Sequence, residues 1–349
     1  MDVEAFCRQS HVLVVVGKGG VGKTTVTAAL ALVAAGIGLK VLVVALDDSG
    51  DLPALFGRSD AFGYEEVELA GPDPESMLRV PGTVRGRVIT SRAALLEYLD
   101  DHGLRRVSRR LVDSGALDIV ATAIPGIEEV LVLGKVKQIE RAGTADLVLL
   151  DAPATGHALT FLTSPTGLVD AARGGPLRVQ AEQVVELLSD PERCQALPVT
   201  LAEETPVNEL VETAFFLEDS TGVALGPVVV NGCYNLPTGL DADPVAAAAV
   251  AGESPPSPEQ ARRLTNAARF RRARAGAQAE QIARLAERLP LPQIRLPYVF
   301  AEALGPNDLG RLAESLAESI RALPAPSGRR RPPTEARSGG ETRSAGEAP

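Results

Sequence analysis

Cysteine is scarce in this chain of 349 residues, and the three that are present lie far apart. Cys7, Cys194 and Cys233 form no C-x-x-C pair. This absence argues against a disulfide-stabilised secreted fold and against a structural zinc site built from cysteines. We therefore expect a protein of the reducing cytoplasm.

Long hydrophobic runs are also lacking. The longest uncharged run near the amino terminus, residues 24–39, has sixteen residues, whereas a membrane-spanning helix needs about 20 apolar ones. Asp2 and Glu4 precede the first apolar stretch, and Lys18 and Lys23 interrupt it, so no signal peptide is predicted. We expect no integral membrane segment.

Positive charge is in short supply. The formal net charge is −10, and residues 324–349 alone carry five arginines against three glutamates, so the rest of the chain is more acidic still. Nucleic-acid binding through phosphates requires the opposite balance, and we expect no nucleic-acid partner. With 45% hydrophobic and 23% charged residues, the composition is that of a globular protein.

Short apolar runs separated by helical stretches predict the fold class. Apolar runs at residues 11–16 and 40–46 flank a glycine loop and an Ala/Leu-rich helix, which is a βαβ unit with parallel strands. Further buried strands are predicted at 147–150, 196–201, 227–231 and 291–296, and helices at 91–112, 126–142, 177–188, 206–219, 258–288 and 309–323. The pattern predicts an α/β fold, a doubly wound, mainly parallel sheet in three α/β/α layers.

The same pattern predicts how the chain is organised. Residues 1–10 form an N-terminal extension, residues 11–323 one α/β domain, and residues 324–349, which are rich in Pro, Gly, Ser, Arg and Glu, a disordered tail. The interval between the second and third strands is too long for a simple crossover. We expect a helical subdomain at one sheet edge, built from about 50–145 and 160–195, and a mobile surface loop over 239–257.

A glycine loop between the first strand and helix carries the strongest chemical signal. The sequence GKGGVGKTT fits G-x-x-x-x-G-K-[ST], the phosphate-binding loop of P-loop NTPases. Its glycines let backbone N–H groups face phosphate oxygens, Lys23 offers a charge to the β- and γ-phosphates, and the Thr24 hydroxyl offers a ligand to Mg²⁺. The predicted nucleotide-binding residues here are Gly17, Lys18, Gly19, Gly20, Val21, Gly22, Lys23, Thr24 and Thr25.

Lys18 is an unusual second lysine in this loop, because the chain has only five lysines beside thirty arginines. The segment resembles the deviant Walker A ATPases, which read KGGxGKT. In that group the early lysine reaches across a dimer interface to the partner's nucleotide. The resemblance implies a dimer that closes on two ATP molecules, with Lys18 and Lys23 both catalytic.

A second motif narrows the resemblance. Residues 151–165 read DAPATGHALTFLTSP, similar to the switch II signature D-T-A-P-T-G-H-x-L-x-F-L-x-x-P of the ArsA/guided-entry ATPases, the latter being the tail-anchored protein targeting branch. The resemblance covers about residues 11–323. It implies that Asp151 holds Mg²⁺ through water, and that Thr155, Gly156 and His157 form the switch that senses the γ-phosphate.

Two other positions concern the nucleotide. The segment EETPVNE resembles the family loop in which a glutamate matching Glu209 contacts nucleotide. Asn231 ends a predicted strand, and its amide has the donors and acceptor to read the N6 and N7 edge of adenine. The chain lacks the aspartate of the guanine-selecting N-K-x-D motif, which favours ATP over GTP.

Switch I departs from the family pattern D-P-A-H/S-N-L. Here the second strand is followed by Asp47, Asp48, Ser49, Gly50 and Asp51, and Asp47 matches the carboxylate that orients the attacking water. We expect the neighbouring acids Asp48 and Asp51 to raise the pKa of Asp47 or to repel the γ-phosphate. We expect hydrolysis that is slow or that depends on a partner.

Two family specialisations are missing. A chain with no C-x-x-C and with only Met1 and Met77 as methionines has neither the zinc-bridged dimer nor the methionine-rich client groove of the targeting members. Three scattered cysteines and a single ATPase unit also argue against metalloid binding of the arsenite-pump kind.

The sequence thus predicts a magnesium-dependent, dimeric ArsA-like ATPase. Its dimer partner is a second copy or a related ATPase subunit, and its cycle switches the helical subdomain to gate an unidentified protein client. Two alternatives remain open at this point. One is a spatial-organiser ATPase of the MinD/ParA type, and the other is a nucleotide-binding scaffold with little turnover.

Overall fold

A mainly parallel sheet forms the centre of the computed structural model, which describes residues 1–46, 51–60, 62–74, 76–101, 103–106, 110 and 126–324. Within these residues the sheet has nine strands in the order β3-β4-β2-β5-β1-β6-β8-β9, with β7 beside β6. Only β3 and β4, among the described strands, pair antiparallel. The strands are β1 (Val12–Val16), β2 (Lys40–Ala45), β3 (Val67–Ala70), β4 (Thr83–Val88), β5 (Leu147–Asp151), β6 (Cys194–Leu201), β7 (Ala224–Leu225), β8 (Val228–Cys233) and β9 (Gln293–Pro297).

Helices cover both faces of this sheet. In chain order they are α1 (Val3–Cys7), α2 (Lys23–Gly36), α3 (Asp51–Leu55), α4 (Ser91–Asp101), α5 (Ile127–Ala142), α6 (Thr155–Ala171), α7 (Pro176–Ser189), α8 (Glu204–Thr221), α9 (Pro244–Ala251), α10 (Pro258–Arg288) and α11 (Pro306–Ala322). Among the described residues, no helix is both long enough and apolar enough to cross a membrane.

The central strands are apolar on both sides because each side meets a helical layer. Val12, Val14 and Val16 of β1 pack in the layer that includes α4, α5 and α7. Leu13 and Val15 point to the opposite layer, which includes α2 and α11. The doubly wound α/β fold predicted from the continuous apolar runs is therefore confirmed, and all six predicted strands are present.

Two predictions about the long crossover segment need correction. Residues 50–145 are not wholly helical, because β3 and β4 lie within them and extend the sheet beyond β2. The predicted helix 91–112 is also interrupted before it reaches residue 112. The helix α4 ends at Asp101, and Gly103 adopts a left-handed φ of 74° while its N–H donates to the Asp100 carbonyl.

The predicted mobile loop at 239–257 contains the helix α9. Asp243 accepts hydrogen bonds from the backbone N–H groups of Val245 and Ala246, Pro244 occupies the first turn, and Gly252 ends the helix at φ 71°. These are ordinary start and stop signals for a helix. The division of the chain into extension, domain, helical subdomain and tail stays a prediction, and residues 325–349 lie outside the described part.

The first ten residues pack against the domain. Val3, Phe6 and Cys7 of α1 are buried in the same cluster as α2 and α11. These contacts place α1 against the helical layer that α2 and α11 form on one face of the sheet.

Candidate functional site

The glycine loop joins the carboxyl end of β1 to the amino end of α2 and lies at the centre of the sheet edge. Gly20 and Gly22 have left-handed φ angles of 83° and 87°, which only glycine adopts without strain. A Cβ on Gly17 would overlap the carbonyl oxygen of Val199 in the neighbouring strand β6, and one on Gly22 would overlap Nδ2 of Asn231. Close packing thus requires glycine at positions 17 and 22, and backbone conformation favours it at positions 20 and 22.

The amino end of α2 faces this loop. Gly22 is its N-cap residue and supplies no side-chain cap, and the first turn holds no acidic residue. The helix therefore presents backbone N–H groups and the positive end of its dipole to the loop. The Lys23 ammonium donates to the Lys18 carbonyl at 3.4 Å, so this positive charge lies over the loop backbone.

Thr24 and Asp151 meet beside the loop. The Thr24 hydroxyl donates to Oδ2 of Asp151 at 2.7 Å, although 127 residues separate them. The pairing of β1 with β5 brings them together, since Val15 is in register with Asp151. A hydroxyl in the first turn of α2 and a carboxylate at the end of β5 thus lie in contact, and they form an oxygen donor set of the kind that Mg²⁺ prefers.

Asn231 ties β8 to the glycine loop. Its Nδ2 donates to the Val21 carbonyl at 2.9 Å, and its Oδ1 accepts from the Gly232 N–H at 2.9 Å. One amide proton and one lone pair remain for another partner. The predicted role of Asn231 in reading a base stays a prediction, and its contact with the loop is a feature that the sequence did not reveal.

Lys18 forms an ion pair within its own chain. Its Nζ lies 2.6 Å from Oε1 of Glu209, which projects from α8, and about two fifths of each side chain is exposed. The structure thus brings together two residues that the sequence analysis assigned separately to the nucleotide.

The predicted switch II residues lie next to the loop. Ala154 is the N-cap of α6, and its Cβ would be 3.6 Å from a Cβ placed on Gly19. Thr155 begins the helix, and Gly156 and His157 in its first turn are exposed. Asp47, together with Asp48, Ser49 and Gly50 of the predicted switch I, lies outside the described residues, whereas Asp51 begins α3.

An open cavity of about 420 Å³ separates α6 from α8 beside this switch. Two glutamates, Glu209 and Glu212, line it together with Gly156, Leu159 and Phe216. The start of α6 therefore has free space on the side that faces α8.

An aromatic cluster follows β8 and β9 at the same edge of the sheet. The rings of Tyr234 and Tyr298 stack with centroids 5.1 Å apart, and Phe300 meets both edge-on at 5.9 and 4.8 Å. The Arg271 guanidinium lies 5.1 Å from the Phe300 ring centre. The sequence analysis did not predict that these rings form a cluster, and the available signal was a tyrosine placed three residues after Asn231.

All three cysteines are buried in separate elements, α1, β6 and β8. Burial raises the pKa of Cys7 and of Cys194 to about 12, and it raises the pKa of Cys233 as well. In the described part of the chain, no group of three or more His, Cys, Asp or Glu side chains is arranged to hold a metal ion.

Comparison with known proteins agrees with this geometry. Residues 10–172, which include the loop and the switch II motif, match the family described as Anion-transporting ATPase. ATPase BagA of Mycobacterium tuberculosis is 33% identical over 325 residues, covering 87% of this chain and 92% of BagA. The chain belongs to the ArsA/Get3-type ATPase family.

Other members of the ArsA/Get3-type family align over shorter shares of their length. ATPase get3 of Schizosaccharomyces japonicus is 32% identical over 169 residues, covering 46% of this chain and 48% of the relative. A candidate arsenical pump-driving ATPase of Halobacterium salinarum is 26% identical over 319 residues, covering 86% of this chain and 43% of the relative. The family resemblance drawn from the loop and from residues 151–165 is therefore confirmed.

Proposed function

We propose that the chain binds Mg²⁺–ATP and hydrolyses it as a dimer, and that the cycle moves the helical subdomain and so gates a protein partner. The observation that carries this proposal is the 2.7 Å contact between Thr24 and Asp151 beside a loop with two left-handed glycines. Family membership supports ATPase chemistry. When bound, Mg²⁺–ATP supplies the phosphoanhydride bond and the cation that neutralises its charge.

The residues of the loop fit a triphosphate. Backbone N–H groups of Gly19 to Thr25 and the amino end of α2 hold the phosphate oxygens. Lys23 neutralises charge at the β- and γ-phosphates, and its present position over the loop backbone is compatible with that role. Thr24 would hold the cation directly and Asp151 would hold it through water.

The base has a site at the ends of β8 and β9. Asn231 retains one amide proton and one lone pair for adenine, and the exposed rings of Tyr298 and Phe300 offer a stacking surface. Both features lie on the β8 side of the loop. This arrangement supports a purine nucleotide with the base placed over the aromatic cluster.

Lys18 and Asp47 complete the proposed reaction. In the closed dimer, Lys18 leaves Glu209 and stabilises charge developing on the partner's γ-phosphate. Asp47 orients the attacking water, and the extra acids Asp48 and Asp51 keep turnover slow until a partner binds. Glu209, released from Lys18, becomes available to the nucleotide.

Switch II transmits the state of the nucleotide. Thr155, Gly156 and His157 begin α6, which packs against α5, α7 and α8. Loss of the γ-phosphate would release this first turn, and the cavity between α6 and α8 gives the helix room to move. The movement of α6 with α7 would be the signal that the client protein receives.

The proposal is tested by steady-state phosphate release with Mg²⁺, combined with oligomer mass with and without ATP. We expect Lys18→Ala, Asp47→Asn and Asp151→Asn each to lower turnover by about a hundredfold or more. Lys40→Ala and Asp146→Asn are matched controls. Both residues lie where β2 and β5 begin, at the edge of the sheet opposite the glycine loop, and there the Lys40 backbone N–H donates to the Asp146 carboxylate. ATP should shift the wild type to a dimer.

Two results would overturn parts of this proposal. The first is ATP binding without turnover in the wild type, with or without a related ATPase subunit. This result would show that the chain is a nucleotide-binding scaffold and not an enzyme. Full turnover by a monomer, unchanged in Lys18→Ala, would exclude the role of Lys18 across a dimer interface.

A further inference from the structure

A single glutamine of α10 holds the backbone that follows Asn231. The side-chain amide of Gln278 donates to the Gly232 carbonyl at 2.9 Å, and its Oε1 accepts from the Tyr234 N–H at 2.7 Å. Gln278 is buried, with 8% of its surface exposed. Its side chain thus fixes the peptide groups on both sides of Cys233, and its loss would remove a partner from each of two backbone groups.

The sheet does not hold this segment in a regular ladder. The register between β8 and β9 shifts between Val230 and Cys233, and Gly232 lies within that shift with a left-handed φ of 67°. An irregular stretch of strand needs other partners for its backbone N–H and C=O groups. Because Gln278 supplies one donor and one acceptor here, it sets the backbone conformation at the end of β8.

The conformation of Gly232 in turn orients the amide of Asn231. The Gly232 N–H donates to Oδ1 of Asn231, and Nδ2 donates to the Val21 carbonyl. These two contacts fix the positions of the remaining amide proton and lone pair. Adenine offers a donor at N6 and an acceptor at N7, whereas guanine offers acceptors at both O6 and N7. An amide held in this orientation therefore matches adenine, and its lone pair opposes O6 of guanine.

The same face of α10 also meets the aromatic cluster. The Arg271 guanidinium donates to the Asn235 carbonyl at 3.0 Å, and the Arg274 guanidinium lies 5.9 Å from the centre of the Tyr234 ring. Positions three and four residues apart share one face of a helix, so both arginines lie on the side of α10 that carries Gln278. One helix face therefore contacts this segment at successive positions, and Gln278 is its buried member.

We propose that Gln278 is a positioning residue for base recognition. By holding Gly232 and Tyr234, it keeps the Asn231 amide in the orientation that accepts adenine and rejects guanine. This inference rests on the proposed nucleotide site, and it names a residue that belongs to neither the glycine loop nor the switches. Because Gln278 acts through the end of β8, its loss should affect the base and leave the binding of the phosphates unchanged.

The test compares three ligands on the full chain by isothermal titration calorimetry with Mg²⁺. The β,γ-imido analogues of ATP and GTP differ in the base alone, and inorganic tripolyphosphate has phosphates without a base. Gln278→Leu removes both hydrogen bonds at a similar side-chain volume. Gln281→Leu is the matched control, since Gln281 lies one turn further along α10 and its buried Oε1 has no hydrogen-bond partner among the described residues.

We expect the wild type to prefer the ATP analogue over the GTP analogue by about tenfold or more. In Gln278→Leu this preference should fall to about twofold or less, because two backbone groups lose their partner, while the affinity for tripolyphosphate stays unchanged. Gln281→Leu should retain the preference of the wild type. A general loss of structure would instead weaken the binding of all three ligands together, and thermal melting establishes that each variant is folded.

A second variant tests the same point if Gln278→Leu does not fold. Gln278→Glu keeps an acceptor for the Tyr234 N–H, but a carboxylate has no donor for the Gly232 carbonyl. Protonation restores that donor, and burial favours the protonated form of the introduced carboxyl group. The preference for the ATP analogue should therefore be weak at about pH 8 and recover at about pH 6, while that of the wild type is the same at both.

Four results would overturn the inference and leave the proposed function standing. They are an unchanged preference in folded Gln278→Leu, an equal loss of preference in Gln281→Leu, a preference in Gln278→Glu that does not depend on pH, and equal binding of both analogues by the wild type. In the last case there is no base selection for Gln278 to set. If the wild type binds neither the analogues nor tripolyphosphate, the proposed nucleotide site itself is wrong, and this inference fails with it.

Discussion

Nζ of Lys18 lies 2.6 Å from Oε1 of Glu209 in the same chain, although 191 residues separate the two. Both side chains are about two fifths exposed, so the pair contributes less than about 1 kcal/mol to stability. A lysine held this weakly can change partners readily. In the proposed cycle, this contact is the resting position from which Lys18 moves to the partner's nucleotide.

Removing the acid of this pair should favour the proposed dimer. In Glu209→Gln, Lys18 loses its ion pair and keeps at most a neutral hydrogen bond, and we expect dimerisation with ATP to strengthen by up to about fivefold. Sedimentation velocity at several protein concentrations measures the effect. Glu212→Gln, one turn away and lining the same cavity, is the control. If Glu209→Gln instead abolishes ATP binding, the contact of Glu209 with the nucleotide matters more for the cycle than its ion pair with Lys18.

The close approach of Gly22 to Asn231 predicts an unequal response of two glycines. Gly20→Ala and Gly22→Ala suffer similar strain from a left-handed φ, costing about 1–2 kcal/mol. Only at Gly22 does the added Cβ overlap Asn231, since the space beside Gly20 is open. We expect Gly22→Ala to be the less stable variant by at least about 1 kcal/mol in urea unfolding. Equal stabilities would mean that the loop moves freely away from β8.

Asn231 should contribute to the rigidity of the loop as well as to any base contact. Asn231→Ala leaves the Val21 carbonyl without its donor, and we expect a loss of about 1–2 kcal/mol of unfolding free energy. A double-mutant cycle with Gly22→Ala measures the coupling, because removing the amide also removes the overlap. Additive effects of the two substitutions would show that the overlap is relieved without involving Asn231.

Acid should weaken the contact between Glu140 and Arg193. Hydrogen bonds from the Arg193 guanidinium hold the pKa of Glu140 below its ordinary value, against the opposing effect of burial. A carboxylate with a lowered pKa stabilises the fold above its unfolded pKa, about 4.3, and loses that contribution as pH falls through the folded pKa.

We therefore expect Glu140→Gln to lose about 1–3 kcal/mol of unfolding free energy at pH 7, with the difference from wild type shrinking below about pH 4. Glu4→Gln, which breaks an exposed pair with Arg8, is the control and should change stability by less than about 0.5 kcal/mol. Urea unfolding at a series of pH values provides the measurement. A difference that does not depend on pH would mean that the charge of Glu140 is unimportant.

The three thiols should be unreactive in the folded chain. Each is buried and each has a raised pKa, so little thiolate is available. Ellman's reagent should modify none of them within minutes, and three per chain after unfolding. Arsenite should leave ATP turnover unchanged. Rapid modification of one thiol, or stimulation by arsenite, would show that Cys233 or another cysteine becomes accessible.

Local signals made much of the fold predictable. The first strand, the glycine loop and α2 form one continuous segment in which apolar run, glycines and helix formers follow each other. The helix α10 has the predicted bounds Pro258–Arg288 because Ser257 and Gln260 form a capping box and Pro258 opens the first turn.

Non-local pairing explains what the sequence analysis missed. The strand β4 has the sequence TVRGRV, and its two arginines break the apolar run by which a buried strand is predicted. Arg85 is neutralised by Glu66 at 2.6 Å, and Arg87 packs over the Tyr64 ring. Likewise, the contact of Lys18 with Glu209 depends on α8, and the contact of Asn231 with Val21 depends on β8. Motifs predicted the residues of the candidate site, but the contacts among them depend on the order of the strands in the sheet.

The hydrogen bond between Asn231 and Val21 also has a consequence for synthesis. Val21 leaves the ribosome 210 residues before Asn231, which at typical translation speeds is a delay of roughly ten to forty seconds. During that time the glycine loop exists without the strand that later fixes it. In a nascent chain the glycine motif is therefore present long before the candidate site is complete, and the synthesis of β8 sets the earliest time at which a ligand of the proposed site can stabilise the fold.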